Sequence, residues 1–187
     1  MKKISIFASG GGSNAQKIYD HFKGRDEVQI DSVVCNNSKA KIMERSIEWG
    51  CERVVVSKET FKSTEELSKL LLKRGTDLIV LAGFLWLIPE SLLKAFPNKI
   101  VNIHPALLPK YGGKGMHGMN VHNAVEQAKE NESGITVHYI NEEYDKGDVI
   151  FQAKCSVQGL DADKIAAEVL KLEHKYFPEV IEKILLS

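Results

Sequence analysis

The chain has 187 residues, 43% of them hydrophobic, which is enough for one domain with a full core. Its 25 basic residues balance 25 acidic ones, which argues against a general nucleic-acid binder, and its longest apolar stretch, 78–88, falls well short of the ~20 residues a membrane helix needs. Three widely spaced cysteines, Cys35, Cys51 and Cys155, form no Cys-x-x-Cys pair, so neither a zinc knuckle nor a disulfide framework is indicated, and a reducing, cytoplasmic setting is the simplest account.

Met1-Lys2-Lys3 precedes an apolar run over 4–8 that is too short for a signal-peptide core, and residues 4–7 read as a first strand. Short β-branched runs then alternate with helical patterns. A helix is expected over 14–22, a strand over 30–35, a helix over 40–49 and a short strand over 54–56. Leu67, Leu70, Leu71 and Arg74 recur at three- and four-residue spacing, which predicts a helix over 64–74. A strand at 77–81, a short helix at 90–95 and a strand at 100–103 follow. This alternation is the mark of βαβ units, hence an α/β fold with a mostly parallel sheet flanked by helices. The second half changes character: a helix over 121–129, then strands over 134–140 and 149–156 joined by a turn at Asp145-Lys146-Gly147. The tail, 161–186, reads as a long amphipathic helix with Asp161 as N-cap and a bend near Pro178. Without repeats, low-complexity segments or linkers, the expected organisation is a single domain, 1–187.

Ser9-Gly10-Gly11-Gly12-Ser13-Asn14 falls between the first strand and the first helix. Glycines let a ligand approach the backbone, and a helix N-terminus presents unpaired N–H groups to an anion. The alternative is a tight turn with Ser13 or Asn14 as an ordinary N-cap. The loop lacks the Gly-Lys-Ser/Thr ending of a Walker P-loop. Gly10-x-Gly12-x-x-Ala15 satisfies the loose dinucleotide pattern, but the second strand ends in Cys35-Asn36-Asn37 with no acid to hold a ribose. A phosphate monoester fits better than a dinucleotide.

Asn102 and His104 close an apolar strand just before the proline-braced run Pro105-Ala106-Leu107-Leu108-Pro109. Residues two apart on a strand share a face, so this amide and imidazole can address one oxygen as it gains charge. The alternative is a pair of polar caps at a strand end. His138 sits on the strand after 134, with Asp145 seven residues on. A carboxylate beside an imidazole orients it and raises its pKa; the alternatives are a satisfied core histidine and a routine turn aspartate. His117 and His122 lie in a Gly- and Met-rich segment with no acid or cysteine at ligand spacing, so no metal site is expected there. Leu81-Ala82-Gly83-Phe84 runs into the apolar loop Leu85-Trp86-Leu87-Ile88, either plain core or a greasy wall for a flat heteroaromatic ring.

Taken together, the glycine loop 9–14, Leu81-Ala82-Gly83-Phe84, the run from Asn102 to Tyr111 and the stretch from Gly134 to Gly147 resemble the phosphoribosylglycinamide formyltransferases in order and spacing. The resemblance spans essentially the whole chain and implies a single-domain, Rossmann-like formyltransferase fold. It implies transfer of a formyl group from 10-formyltetrahydrofolate, as co-substrate and without a metal, to the amine of glycinamide ribonucleotide. The family's catalytic trio falls on Asn102, His104 and Asp145, with Asn102 and a protonated His104 steadying the oxyanion and Asp145 keeping His104 charged and relaying a proton through water. Its phosphate contacts fall on Gly12, Ser13 and Asn14, and its substrate-holding glutamate on Glu173. Its folate pocket falls on Leu85, Trp86, Leu87 and Ile88, with Asn102 shared, and its supporting histidine on His138.

The chain departs from the family at several points. The segment 112–123 is longer than the usual His-rich loop, and Trp86 stands where a basic residue is frequent. Thr64 is the position nearest the family's folate-tail arginine, and that contact is not carried over. The partners implied are small molecules, with no nucleic acid or membrane, for a monomer or homodimer. A formyltetrahydrofolate hydrolase is expected to carry an added N-terminal regulatory domain, and a methionyl-tRNA formyltransferase an added C-terminal RNA-binding domain with a basic surface. A non-catalytic nucleotide-binding module is the alternative from another class; it leaves Asn102, His104 and Asp145 unexplained.

Overall fold

The structure, a computed structural model, describes residues 1–62 and 65–187; Thr64 lies outside the described residues. Among the described residues seven strands are ordered β3-β2-β1-β4-β5-β6-β7, and the chain divides into two compact units, 1–101 with 185–187, and 102–184.

In the first unit, β1 (Lys2–Ala8) pairs in parallel with both β2 (Val28–Cys35) and β4 (Leu78–Leu81), and β3 (Glu52–Val55) pairs in parallel with β2. Parallel strands covered on both faces carry continuous apolar runs, and Ile4, Ile6, Phe7, Val33, Val34, Ile79 and Val80 are completely buried. Helices α1 (Ser13–Phe22), α2 (Lys41–Arg45), α3 (Lys58–Lys62), α4 (Glu65–Arg74) and α5 (Glu90–Ala95) make the connections. The helix expected over 40–49 divides into α2 and a 3-10 turn, Ser46–Trp49, which ends at Gly50 with φ +66°. The Ser46 hydroxyl donates back to the Met43 carbonyl at 3.3 Å, a local bond that competes with helical continuation. Helix α3 has no counterpart in the sequence reading. Its single buried apolar residue, Phe61, gives no period, but Ser57 and Thr60 exchange side-chain-to-backbone hydrogen bonds just where it starts.

The second unit begins within β5 (Ile100–His104) and continues through α6 (Met119–Gln127), β6 (Glu132–Tyr139), β7 (Val149–Ser156) and α7 (Ala162–Leu186). β6 and β7 are antiparallel. Asp161 caps α7 as expected, its Oδ1 accepting the Lys164 N–H at 2.9 Å, and the helix runs on through Pro178. The buried Thr136 hydroxyl donates to the Ala106 carbonyl at 2.7 Å and accepts the Leu108 N–H at 3.0 Å. That knot fixes the loop leaving β5 and so the direction of the side chains at the strand's end.

Candidate active site

Asn102 and His104 share a face of β5 near its end, and Thr136 and His138 share a face of β6. Between the two histidines lies Asp145. His104 Nδ1 is 3.6 Å from Asp145 Oδ1, and His138 Nε2 is also 3.6 Å from it. The Asn102 amide nitrogen lies 3.2 Å from His138 Nε2. The trio and the supporting histidine therefore meet. Asp145 is not a solvated turn residue: its side chain is 11% exposed and its Oδ2 accepts the Gly113 N–H at 2.8 Å. Its backbone sits at φ +55°, a conformation that costs a non-glycine residue about 1–3 kcal/mol. The turn is fixed by Gly147, where a Cβ would lie 1.7 Å from the Tyr139 carbonyl oxygen. Gly112 has as little room, since a Cβ there would come within 2.6 Å of Leu108 Cδ2 and 3.2 Å of Asp145 Cβ.

The hydrogen bonds also fix where the ring protons sit. A carbonyl can only accept, so His104 Nε2, 2.7 Å from the Tyr111 oxygen, carries a proton and donates it. In the neutral ring Nδ1 is then a lone pair directed at Asp145. His138 uses its Nδ1–H on the Tyr139 carbonyl at 2.9 Å, which leaves Nε2 to accept from Asn102. One of the two Asn102 N–H groups is thereby used and the amide is held in one orientation.

Charge favours an ionised carboxylate beside a neutral imidazole. Burial pushes the Asp145 carboxyl upward; the His138 ring when it carries a proton, the Gly113 N–H and His104 when it carries a second proton pull it down, and the net shift is down. For His104 burial dominates and pushes the pKa down, with His138 adding to the fall, against the upward pull of Asp145 and the Tyr111 carbonyl. The direction of this shift runs against the protonated His104 that the family resemblance implies. At 3% exposure, desolvation of the cation exceeds what a carboxylate 3.6 Å away returns. This arrangement can take up a proton at Nδ1 and hold it against Asp145.

In the first unit, Gly12, with φ +70°, is the N-cap position of α1, and among the described residues no side chain caps it. Neither Ser13 nor Asn14 is an ordinary N-cap; both lie in the first turn. Ser9 ties this loop to the one after β4, its N–H donating to the Gly83 carbonyl at 3.1 Å and its hydroxyl accepting the Leu85 N–H at 3.1 Å. In that second loop Leu85 and Leu87 are 54% and 43% exposed, whereas Ile88 is turned into the core at 4%. Trp86 is held against Phe61 and Phe84, with ring centroids 5.5 and 6.0 Å away. Glu173, on α7, is buried rather than solvated.

Tyr111, Gly113 and Gly112 were not singled out from sequence, because two of them act through the backbone and the third through lack of a side chain. His122, in the first turn of α6, is buried at 6% with Nδ1 lacking a hydrogen-bond partner among the described residues, while His117 is exposed. Among the described residues no group of three or more His, Cys, Asp or Glu is placed to hold a metal ion, and no helix is long and apolar enough to cross a membrane.

Comparison with known proteins gives consistent relatives. A family model described as formyl transferase matches residues 2–181. The chain is 40% identical to a chloroplastic phosphoribosylglycinamide formyltransferase of Arabidopsis thaliana, over 98% of this chain and 65% of that protein. A Vigna unguiculata relative of the same name is covered over 61% of its length, so the chain spans somewhat under two thirds of these plant proteins. It is 33% identical to the phosphoribosylglycinamide formyltransferase of Bacillus subtilis, over 99% of this chain and 95% of that one. Among solved structures, glycinamide ribonucleotide transformylase 1 from Geobacillus kaustophilus superposes with a TM-score of 0.88 at 34% identity, covering 99% of both chains. With matches of this extent in both sequence and structure, the chain belongs to the formyl transferase family, among the phosphoribosylglycinamide formyltransferases.

Proposed function

We propose that this chain transfers a formyl group from 10-formyltetrahydrofolate to the amine of glycinamide ribonucleotide, a step of purine biosynthesis. The observation that carries this reading is the convergence of Asn102, His104, His138 and Asp145 in a chain whose relatives bear that name over nearly its whole length. The match of one family model to residues 2–181 supports treating 1–187 as one formyltransferase domain.

The chemistry follows from the proton positions. The nucleotide amine attacks the formyl carbon, and a carbon–nitrogen bond forms as the carbonyl oxygen becomes an oxyanion. The remaining Asn102 N–H is the donor assigned to that oxygen. One preorganised donor of this kind contributes on the order of 3 kcal/mol to the barrier. His104 accepts the amine proton at Nδ1, and the imidazolium so formed faces Asp145. The same proton returns to the folate nitrogen as its bond to the formyl carbon breaks. No covalent enzyme intermediate is needed. Asp145 acts as counter-charge and His138 as the prop of the Asn102 amide.

The α1 N-terminus at Gly12, Ser13 and Asn14 is assigned the nucleotide phosphate, because its N–H groups carry no side-chain cap. Glu173 is assigned the ribose hydroxyls. The loop of Leu85, Trp86, Leu87 and Ile88 is assigned the pteridine, with Leu85 and Leu87 offering apolar surface. Three free cysteines fit a cytoplasmic setting, and the chain is read as a monomer or homodimer acting on small molecules without a metal.

The test is direct. Protein, glycinamide ribonucleotide and 10-formyltetrahydrofolate are mixed, and deformylated folate and formylated nucleotide are followed together. Equal formation of both products is expected. Folate consumption that is indifferent to the nucleotide would instead indicate a hydrolase, and nucleotide binding without turnover would indicate a binding module.

A further inference from the structure

We propose that Tyr111 and Glu130 are positioning residues that set the tautomer of His104. Tyr111 is a non-glycine residue held at φ +56°, a backbone conformation that needs support from its surroundings. The support is visible: the Tyr111 hydroxyl donates to Glu130 Oε1 at 2.8 Å, and Lys110 Nζ bonds the same oxygen at 2.8 Å. Glu130 thus grips two consecutive residues of the loop from just beyond the C-terminal end of α6. That grip aims the Tyr111 carbonyl at His104 Nε2, 2.7 Å away.

The consequence is chemical. While the carbonyl holds Nε2–H, the neutral ring must present its basic nitrogen, Nδ1, to Asp145. If the carbonyl swings away, the proton can move to Nδ1, where the carboxylate attracts it, and the ring loses its capacity to accept a proton there. The next residues serve the other half of the pair, since the Gly113 N–H holds Asp145 Oδ2. One short segment, 111–113, therefore presets the proton position on His104 and the orientation of Asp145. The inference deepens the reading of His104 as the proton acceptor and rests on it.

The experiment is two-bond ¹⁵N correlation spectroscopy of histidine-labelled full-length protein, with the His104 signals assigned by their loss in His104→Asn, alongside steady-state kinetics. Wild type is expected to show the Nε2–H tautomer of His104. Tyr111→Phe and Glu130→Ala are expected to shift it toward Nδ1–H and to lower kcat about tenfold, with both KM values nearly unchanged. Glu130→Gln keeps an oxygen acceptor for the hydroxyl and is expected to restore most of the wild-type tautomer and rate. An Nδ1–H tautomer in wild type overturns the proposal without recourse to any variant. An unchanged tautomer in both Tyr111→Phe and Glu130→Ala overturns it as well. A shifted tautomer with unchanged turnover upholds the clamp and instead removes His104 from the chemistry.

Discussion

His104 Nδ1 and Asp145 Oδ1 lie 3.6 Å apart, with side chains only 4% and 11% exposed, so proton uptake by one is tied to the charge of the other. The sign of the pH dependence follows. His104 is depressed below its ordinary value of about 6.5, chiefly by burial. The stability gained by burying it neutral is present above that value and is lost as pH falls through the lower folded value. Turnover that needs the free Nδ1 should fall over the same acid window, below about pH 6.5. A pH profile of kcat/KM with its acid limb above that point would contradict the assignment.

Asp145→Asn removes the charge that raises the His104 pKa, so the acid limb should move to still lower pH. Turnover should fall by about 10²–10³-fold, because the imidazolium loses its counter-charge. His104→Ala should cost a comparable factor. The two residues act as one unit, so the double variant should be little worse than either single. Multiplicative losses in the double variant would separate them.

The alternating strands and helices of the first half were legible because a buried parallel sheet forces near-continuous apolar runs, as in Leu78–Leu81 and, with the buried Ser5 as its one polar residue, Ile4–Phe7. Asn102 and His104 were legible because strand periodicity puts them on one face. Asp145 was not legible from its own surroundings. Its inward turn depends on Gly113, Gly112 and Gly147, residues distant in sequence or lacking side chains. The burial of His104 at 3% exposure, which drives its pKa down, was not legible in the sequence. Helix α3 escaped because one buried Phe61 makes no pattern.

The glycine loop can be tested through Gly12. A Cβ there would lie 2.6 Å from Ile42 Cδ1 and 2.9 Å from Ile42 Cβ, on a backbone at φ +70°. Gly12→Ala should cost about 1–3 kcal/mol of stability and weaken the nucleotide more than the folate. Ser13→Ala, which carries no such strain, should weaken the nucleotide while thermal stability holds. Equal weakening of both ligands by Ser13→Ala would take the phosphate away from this loop.

The loop after β4 offers a paired comparison. Leu87 is 43% exposed and Ile88 is 4% exposed. Leu87→Asp should leave a folded protein that binds nucleotide and has lost its folate affinity. Ile88→Asp buries a charge and should destabilise the whole fold by several kcal/mol. Normal folate binding by folded Leu87→Asp would remove this side chain from the pocket.

Glu173 is buried, so its removal tests stability and binding at once. Glu173→Gln retains the shape and should raise the nucleotide KM while leaving the folate KM and the melting temperature nearly unchanged. A lowered melting temperature with an unaltered nucleotide KM would make this carboxylate a purely structural group.

The central claim is direct transfer of the formyl group to the nucleotide amine. Its most direct measurement is a single turnover with 10-formyltetrahydrofolate labelled with ¹³C at the formyl carbon, read by NMR in the presence of glycinamide ribonucleotide. The label is expected to pass entirely into the formamide of the nucleotide, and no free formate should form. Label released as formate, at the same rate with or without the nucleotide, would contradict the claim.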